Sequence, residues 1–419
     1  MKKALLLRHV PFFQKLVILL ASSLFVPAAA SGSCPAGEMS VSVERWVGTW
    51  GTAPQLVEPG NMPPKPGLSN NTLRQVVCVS IGGSRLRMRF SNEFSSSPVT
   101  MKLVHFAASI DSSAIDISTD HVLMFDGKPE VTLGAKAAVT SDPFDFPLKP
   151  RMMVAITIYF GDTSPDVTGH PGSRTTSFIL PGDAVSAAIF SGAAGTDHWY
   201  VINAIDVAAA DSAGAVVVLG NSISDGRGSG TNKQNRWPDE LALRLQANSG
   251  TQRVAVLNMG IGGNCVLRNC LGPAASDRFE RDVISQRGVK WLIILEGIND
   301  IGQARGEEGS AVVANGLIAE YGKIIDRAHA AGIRVYGGTL LPFGGSFYDS
   351  PSHQAAWKKV NDWIRQSGRF DAVIDFDAAL HDPADPSHLL PSADTGDHLH
   401  PNEMGHKMMG DAVDLMLFK

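Results

Sequence analysis

The sequence predicts an α/β domain, a parallel sheet with helices on both faces, preceded by a β-sandwich or jelly-roll domain. Strands and helices alternate from about Ser212 to the end, while short strands separated by turn residues fill the stretch before it. A third observation places the chemistry. The apolar, β-branched run Val216-Val217-Val218-Leu219 gives way to Gly220-Asn221-Ser222, which has the composition of a buried parallel strand at its C-terminal end. In open α/β sheets that end is where ligands bind. Ser222, on a tight turn leading toward a helix, is a candidate nucleophile; taken alone it could equally be a helix cap.

Residues 1–30 differ from the rest. Lys2, Lys3, Arg8 and Lys15 precede the apolar run Leu16 to Val26, and Ala28-Ala29-Ala30 follows. A basic segment, a short apolar segment and small residues read as a secretory signal peptide cut after Ala30, which predicts a secreted or periplasmic protein. The run is shorter than the roughly 20 residues a membrane span needs, so no stable membrane insertion is expected after cleavage. Cys34 lacks the preceding large aliphatic residue of a lipoprotein site, leaving lipidation a minor alternative.

Residues 44–206 are the expected β domain. Ser84-Arg85-Leu86-Arg87-Met88-Arg89-Phe90 alternates polar and apolar side chains, the period of a half-buried strand. Similar runs recur at Leu73 to Ile81, Val99 to Phe106, Val122 to Phe125 and Arg151 to Phe160. The exposed arginines and aromatics expected there could mark a carbohydrate-binding face or only a solvated one.

Residues 212–419 follow, joined through the Ala-rich stretch Val207 to Gly214. Strands are expected at Ala215 to Leu219, Val254 to Asn258, Trp291 to Leu295, Val335 to Leu341 and Val373 to Phe376. Helical patterns occupy Trp237 to Gln246, Ser276 to Gln286, Ala311 to Ala330, Gln354 to Gln366 and Glu403 to Leu417. A length of 419 residues allows two domains, each with its own core.

Composition excludes some functions. With 44% hydrophobic and 18% charged residues the chain is ordinary globular protein, and a net charge of −5 without a basic cluster gives no sign of a nucleic-acid partner. In an exported protein the four cysteines can be oxidised. Cys265 and Cys270 are spaced to close a small loop, which would leave Cys34 for Cys78, yet three pairings stay open. No Cys-x-x-Cys or Cys/His cluster suggests zinc.

Three further stretches could project at the same sheet edge as Ser222. In Asn258-Met259-Gly260-Ile261-Gly262-Gly263-Asn264, glycines let backbone N–H groups approach a ligand. In Glu296-Gly297-Ile298-Asn299-Asp300, the Asn299 amide could donate to a developing oxyanion, or serve only an Asx turn. In Gly396-Asp397-His398-Leu399-His400-Pro401-Asn402, one turn could bring Asp397 and His400 to the same side. A serine nucleophile needs such a base, and the base needs an acid to fix its tautomer. His398 and His400 could also bind a metal, but no third ligand suggests itself.

In this order, the four stretches resemble the signatures of the SGNH (GDSL-type) hydrolase superfamily over roughly the last two hundred residues. The resemblance implies a three-layer α/β/α, flavodoxin-like fold without a metal or other cofactor. It implies Ser222 as nucleophile, with Asp397 and His400 completing the triad, and an oxyanion hole of the Ser222 and Gly263 N–H groups and the Asn299 amide. The first block departs from the family's usual Gly-Asp-Ser: Asn221 stands where an aspartate is usual. That residue is outside the triad, so the assignment of Ser222 stands. The signal peptide, the β domain and the stretches Trp46-Val47-Gly48-Thr49-Trp50 and Asn235-Arg236-Trp237-Pro238 are similar to a secreted bacterial subgroup of these enzymes. The expected function is a secreted esterase acting on acyl, first of all acetyl, groups of a small-molecule or polysaccharide ester. The alternatives are a lipase or lysophospholipase, and a non-catalytic carbohydrate-binding protein on a hydrolase fold.

Overall fold

The computed structural model describes residues 44–419, so the expected signal peptide and Cys34 lie outside the described residues. The strands of the second half are apolar along their length because both faces of their sheet are covered. They run Val254–Gly260, Gly214–Gly220, Val289–Leu295, Arg334–Gly338 and Ala372–Ile374 across the sheet, every pair parallel. In chain order this is 2-1-3-4-5, the flavodoxin-like order, which places a crevice at the C-terminal ends of the first and third strands. Helices Trp237–Ala247 and Glu403–Ala412 pack together in one group, and Gly306–Ala330 and Pro351–Gln366 in another. Right-handed crossovers put the two groups on opposite faces.

Several expected boundaries shift for local reasons. The fifth strand stops at Ile374 because Asp375 caps a short helix, Phe376–Leu380, by accepting from the Ala378 N–H at 3.1 Å. The last helix ends at Ala412, and Leu415–Phe418 forms a separate 3₁₀ turn capped by Asp414. The pattern from Ser276 is helical from Ala275, but its second turn widens into a π-helix over Glu280–Ile284. The strand expected at Val122 to Phe125 instead ends at Val122, having begun at Ala114. Asp116, Ser118 and Asp120 along this sheet-edge strand hide its period behind polar side chains.

Residues 46–208 form antiparallel sheets. One contains Trp46–Gly51, Ile202–Ala208 and Gly83–Ser91, with short strands along Gly83–Ser91; another is centred on Asn71–Cys78, Met153–Phe160 and Val99–Asp111. Phe106 of the second meets Phe144 and Phe146 of the first edge to face, at ring-centroid distances of 5.2 and 4.9 Å. The region is β-rich, and its buried side chains merge with those of the parallel sheet into one continuous apolar cluster.

The seam between the two regions is close. Gly48 and Gly51 face Leu257 and Met259 of the outer parallel strand, where a Cβ would come within 2.9 and 2.6 Å of those side chains. Ser80 closes the same strand's open edge: its hydroxyl lies 2.5 Å from Thr49 O and 2.9 Å from Val256 O, either of which can take its one hydrogen, and it accepts from Val256 N at 3.1 Å. Satisfied in this way, the edge no longer invites another strand. Among the described residues no helix is long and apolar enough to cross a membrane.

Arg278, fully buried, ties the strand ends together. Its guanidinium donates to Met259 O at 2.6 Å and Gly220 O at 3.1 Å, and reaches Asp282 at 3.1 Å and Glu296 at 3.4 Å. Removing it would take one donor from each of two buried carboxyl groups and two carbonyls, a loss of about 3–5 kcal/mol. Arg278→Leu is therefore expected to lower the unfolding free energy in urea by that amount. A variant as stable as the parent would remove Arg278 from this role.

Candidate active site

Ser222 opens a four-residue helix, Ser222–Asp225, directly beyond strand Gly214–Gly220. Asn221 caps it by accepting from the Ile223 N–H at 3.0 Å, and Gly226, in the left-handed region at φ 107°, ends it. The turn holds the Ser222 hydroxyl at the crevice. His400 arrives on the loop before the last helix, its Nε2 2.8 Å from Ser222 Oγ. Its Nδ1 lies 2.7 Å from Asp397 Oδ2, while Asp397 Oδ1 accepts the backbone N–H groups of Leu399 and His400 at 3.0 and 2.9 Å. The expected serine, base and acid therefore meet in one hydrogen-bonded line.

Electrostatics suit a proton relay. Burial would raise the Asp397 carboxyl, but the hydrogen bonds and charge of His400 and the backbone donors outweigh it and bring the value down to about 2. His400 is lowered, chiefly by burial, with the Asp397 carboxylate opposing and the guanidiniums of Arg227 and Arg174 adding to the depression. A neutral imidazole beside an ionised carboxylate is the resting state a general base needs.

Gly263 and Asn299 open onto the same cleft, of about 460 Å³, as Ser222 and His400. Gly263 sits at φ 70°, a conformation natural to glycine, and a Cβ there would come 2.8 Å from the Leu271 side chain. One amide hydrogen of Asn299 is committed to Asn264 O at 2.7 Å, leaving the second for an oxyanion. Its Oδ1 accepts from the Tyr348 hydroxyl at 3.1 Å, which fixes the amide's orientation. Sequence patterning gives no hint of Tyr348, which sits in a loop beside Phe347.

Asn221 has a neighbour that accounts for its identity. Glu296 is fully buried, and burial lifts its carboxyl well above the usual range despite Arg278. The Asn221 amide partly offsets that rise, although its Nδ2 and Glu296 Oε2 do not meet hydrogen-bond geometry. An aspartate at 221 would add a second carboxyl beside Glu296, where an amide adds none.

The β-rich region supplies the opposite wall, which sequence reasoning also missed. Gln55, Glu58, Arg174 and His198 line the cleft with Ser222. Buried His170 Nε2 lies 2.9 Å from Asp225 Oδ1, on the helix that Ser222 opens, with its other ring nitrogen 3.0 Å from Ala53 O. A Cβ on Gly172 would lie 1.9 Å from Asp225 Oδ2, so only glycine lets this wall close. His398, the other half of the possible metal pair, turns to Asp394 at 2.7 Å. Among the described residues no group of three His, Cys, Asp or Glu side chains is placed to hold a metal. Cys265 and Cys270 form a disulfide beside this site, and Cys78 has no disulfide partner among the described residues.

Two measurements follow. Because His400 must be neutral to act and its value is lowered, kcat/KM is expected to rise with pH in a step below the ordinary imidazole value of about 6.5 and to be flat through neutrality. A step at or above that value would contradict the environment described. Tyr348→Phe frees the Asn299 amide to turn and is expected to lower kcat by about fivefold with little change in KM, since one hydrogen bond is worth about 1 kcal/mol.

The family model for the GDSL-like lipase/acylhydrolase family matches residues 218–408. No curated protein matches the chain. Among solved structures, an acetylxylan esterase of Geobacillus stearothermophilus is similar at 20% identity and TM-score 0.36, over 48% of this chain and 94% of that one. A GDSL-like lipase of Bacteroides thetaiotaomicron is similar at 18% identity and TM-score 0.34, over 47% of this chain and 84% of that one. The family match spans all four stretches that build the crevice, from the strand before Ser222 to the helix after His400. Residues 218–408 carry a domain of the GDSL-like lipase/acylhydrolase family, and the protein is a serine ester hydrolase.

Proposed function

We propose that this protein is an exported esterase that removes short acyl groups, acetyl above all, from carbohydrate through a Ser222–His400–Asp397 acyl-enzyme mechanism. The observation that carries the mechanism is the line of short hydrogen bonds from Ser222 Oγ to His400 and on to Asp397. His400 Nε2 takes the Ser222 proton as Oγ attacks the ester carbonyl, and Asp397 stabilises the imidazolium. The N–H groups of Ser222 and Gly263 and the free amide hydrogen of Asn299 receive the oxyanion, each such donor being worth about 3 kcal/mol in the transition state. His400 then protonates the leaving alcohol. Water, deprotonated by His400, releases the acid and restores Ser222.

The carbohydrate reading has support in the cleft's second wall. Glu58 accepts from Gln55 and Asn61 at 2.6 and 3.0 Å, an array of polar groups suited to sugar hydroxyls rather than to a long acyl chain. Export rests on the basic and apolar pattern of residues 1–30. Hydrolysis of an aryl acetate by the mature protein is expected, and Ser222→Ala should reduce kcat by at least about 10⁴-fold and abolish labelling by a fluorophosphonate. Undiminished turnover in Ser222→Ala would sink the assignment.

A further inference from the structure

We infer that Arg174 and Arg227 form an anion subsite on the leaving-group side of the cleft, which selects an acidic sugar, one bearing a carboxylate, as the alcohol half of the ester. The inference rests on the ester-hydrolase reading and narrows its substrate.

Arg174 comes from the β-rich region and Arg227 from the loop after the nucleophile helix, and both line the cleft that holds Ser222 and His400. Arg174 is held in place deliberately. Its backbone lies in the left-handed region at φ 50°, fixed by Asn232 N donating to Arg174 O at 2.9 Å and by Ser173 bonding to both sides of the Thr175 peptide. Its Nε is buried without a hydrogen-bond partner among the described residues. A buried, unsatisfied guanidinium nitrogen is costly unless something arrives to meet it. The other arginines deep in this protein are spoken for: Arg278 by Asp282 and Glu296, Arg236 by Asp239, Arg281 by Asp282.

The carboxylates facing the same cleft are already occupied. Glu58 is held by Gln55 and Asn61, and Asp225 by His170. Neither forms an ion pair with Arg174 or Arg227, so the two cations remain for a ligand. Their side of the cleft follows from chemistry. The leaving oxygen must reach His400 Nε2 to collect its proton, whereas the carbonyl oxygen turns to Gly263 and Asn299. Arg174 and Arg227 line the cleft together with His400, the group that must meet the departing alcohol, and both add to the depression of its imidazole. Planar guanidinium forks match a carboxylate in geometry as well as charge.

The test compares acetate release from an acetylated oligogalacturonate and from the same oligomer with its carboxylates methyl-esterified, which removes the charge and keeps the sugar. For the parent enzyme kcat/KM is expected to be at least about tenfold higher on the charged oligomer, the discrimination of about 1.4 kcal/mol. The preference should shrink as salt is raised. Arg174→Gln and Arg227→Gln should each pull the ratio toward one; Arg227 is exposed, so its variant is expected to fold even if the Arg174 variant does not. Equal rates on the two oligomers, or a ratio unchanged in the Arg227 variant, would overturn the subsite while aryl acetate hydrolysis leaves the esterase intact. Failure on the oligomers and on the aryl acetate alike would overturn the esterase reading and this inference with it.

Discussion

The crevice exists because Arg278 holds the ends of neighbouring parallel strands in fixed relation. Near the C-terminal edge of the parallel sheet two carbonyls, Gly220 O and Met259 O, point to one guanidinium. The same group meets Asn264 Oδ1 at 3.0 Å, and Asn264 O in turn takes a hydrogen from Asn299. The strand that ends before Ser222 and the two loops that carry Gly263 and Asn299 are thus joined through a single buried side chain. Charge in so dry a place is tolerable only because every donor is used and Asp282 balances it.

Around that frame the site sets two opposed demands on His400. Burial favours the neutral imidazole, and the Asp397 carboxylate favours the protonated one. The loop bearing both is short but well tied. Asn402 caps the last helix through Gly405 N at 3.0 Å and holds Ser392 O and Asp394 O at 2.9 Å. His406, one turn along that helix, donates from Nε2 to Arg227 O at 3.0 Å. His400 and the loop after Ser222 are in this way referenced to one helix.

Much of this arrangement was legible in residue order, and the reason is geometric. Parallel strands buried on both faces leave an apolar run that ends abruptly, so Ser222, Gly263 and Asn299 announce themselves as polar or small residues just past such runs. Asp397 and His400 are close in sequence and so betray their partnership directly. What escaped was pairing at long range. His170 and Asp225 are 55 residues apart, and nothing in local composition links a histidine on a short strand to an aspartate on the nucleophile helix. Tyr348 and Arg174 were hidden for the same reason. The edge strand Ala114–Val122 was misplaced because partial exposure removes the alternation by which strands are recognised. Asn221, unexplained from the sequence, acquires a reason only beside Glu296, 75 positions along the chain.

The seam at Gly48, Gly51 and Ser80 bears on how such a chain can change over time. Where a second region merely tethers an enzyme to its target, it can be lost or traded without touching the chemistry. Here the outer parallel strand is finished by Ser80, and the helix that Ser222 opens is braced by His170, so the preceding region behaves as part of the same body rather than as an accessory. Drift in either half is answerable to the other. Substrate range is then expected to evolve by changes in the loop around Gly172 and Arg174, with the seam itself held still, and not by exchange of whole regions between proteins.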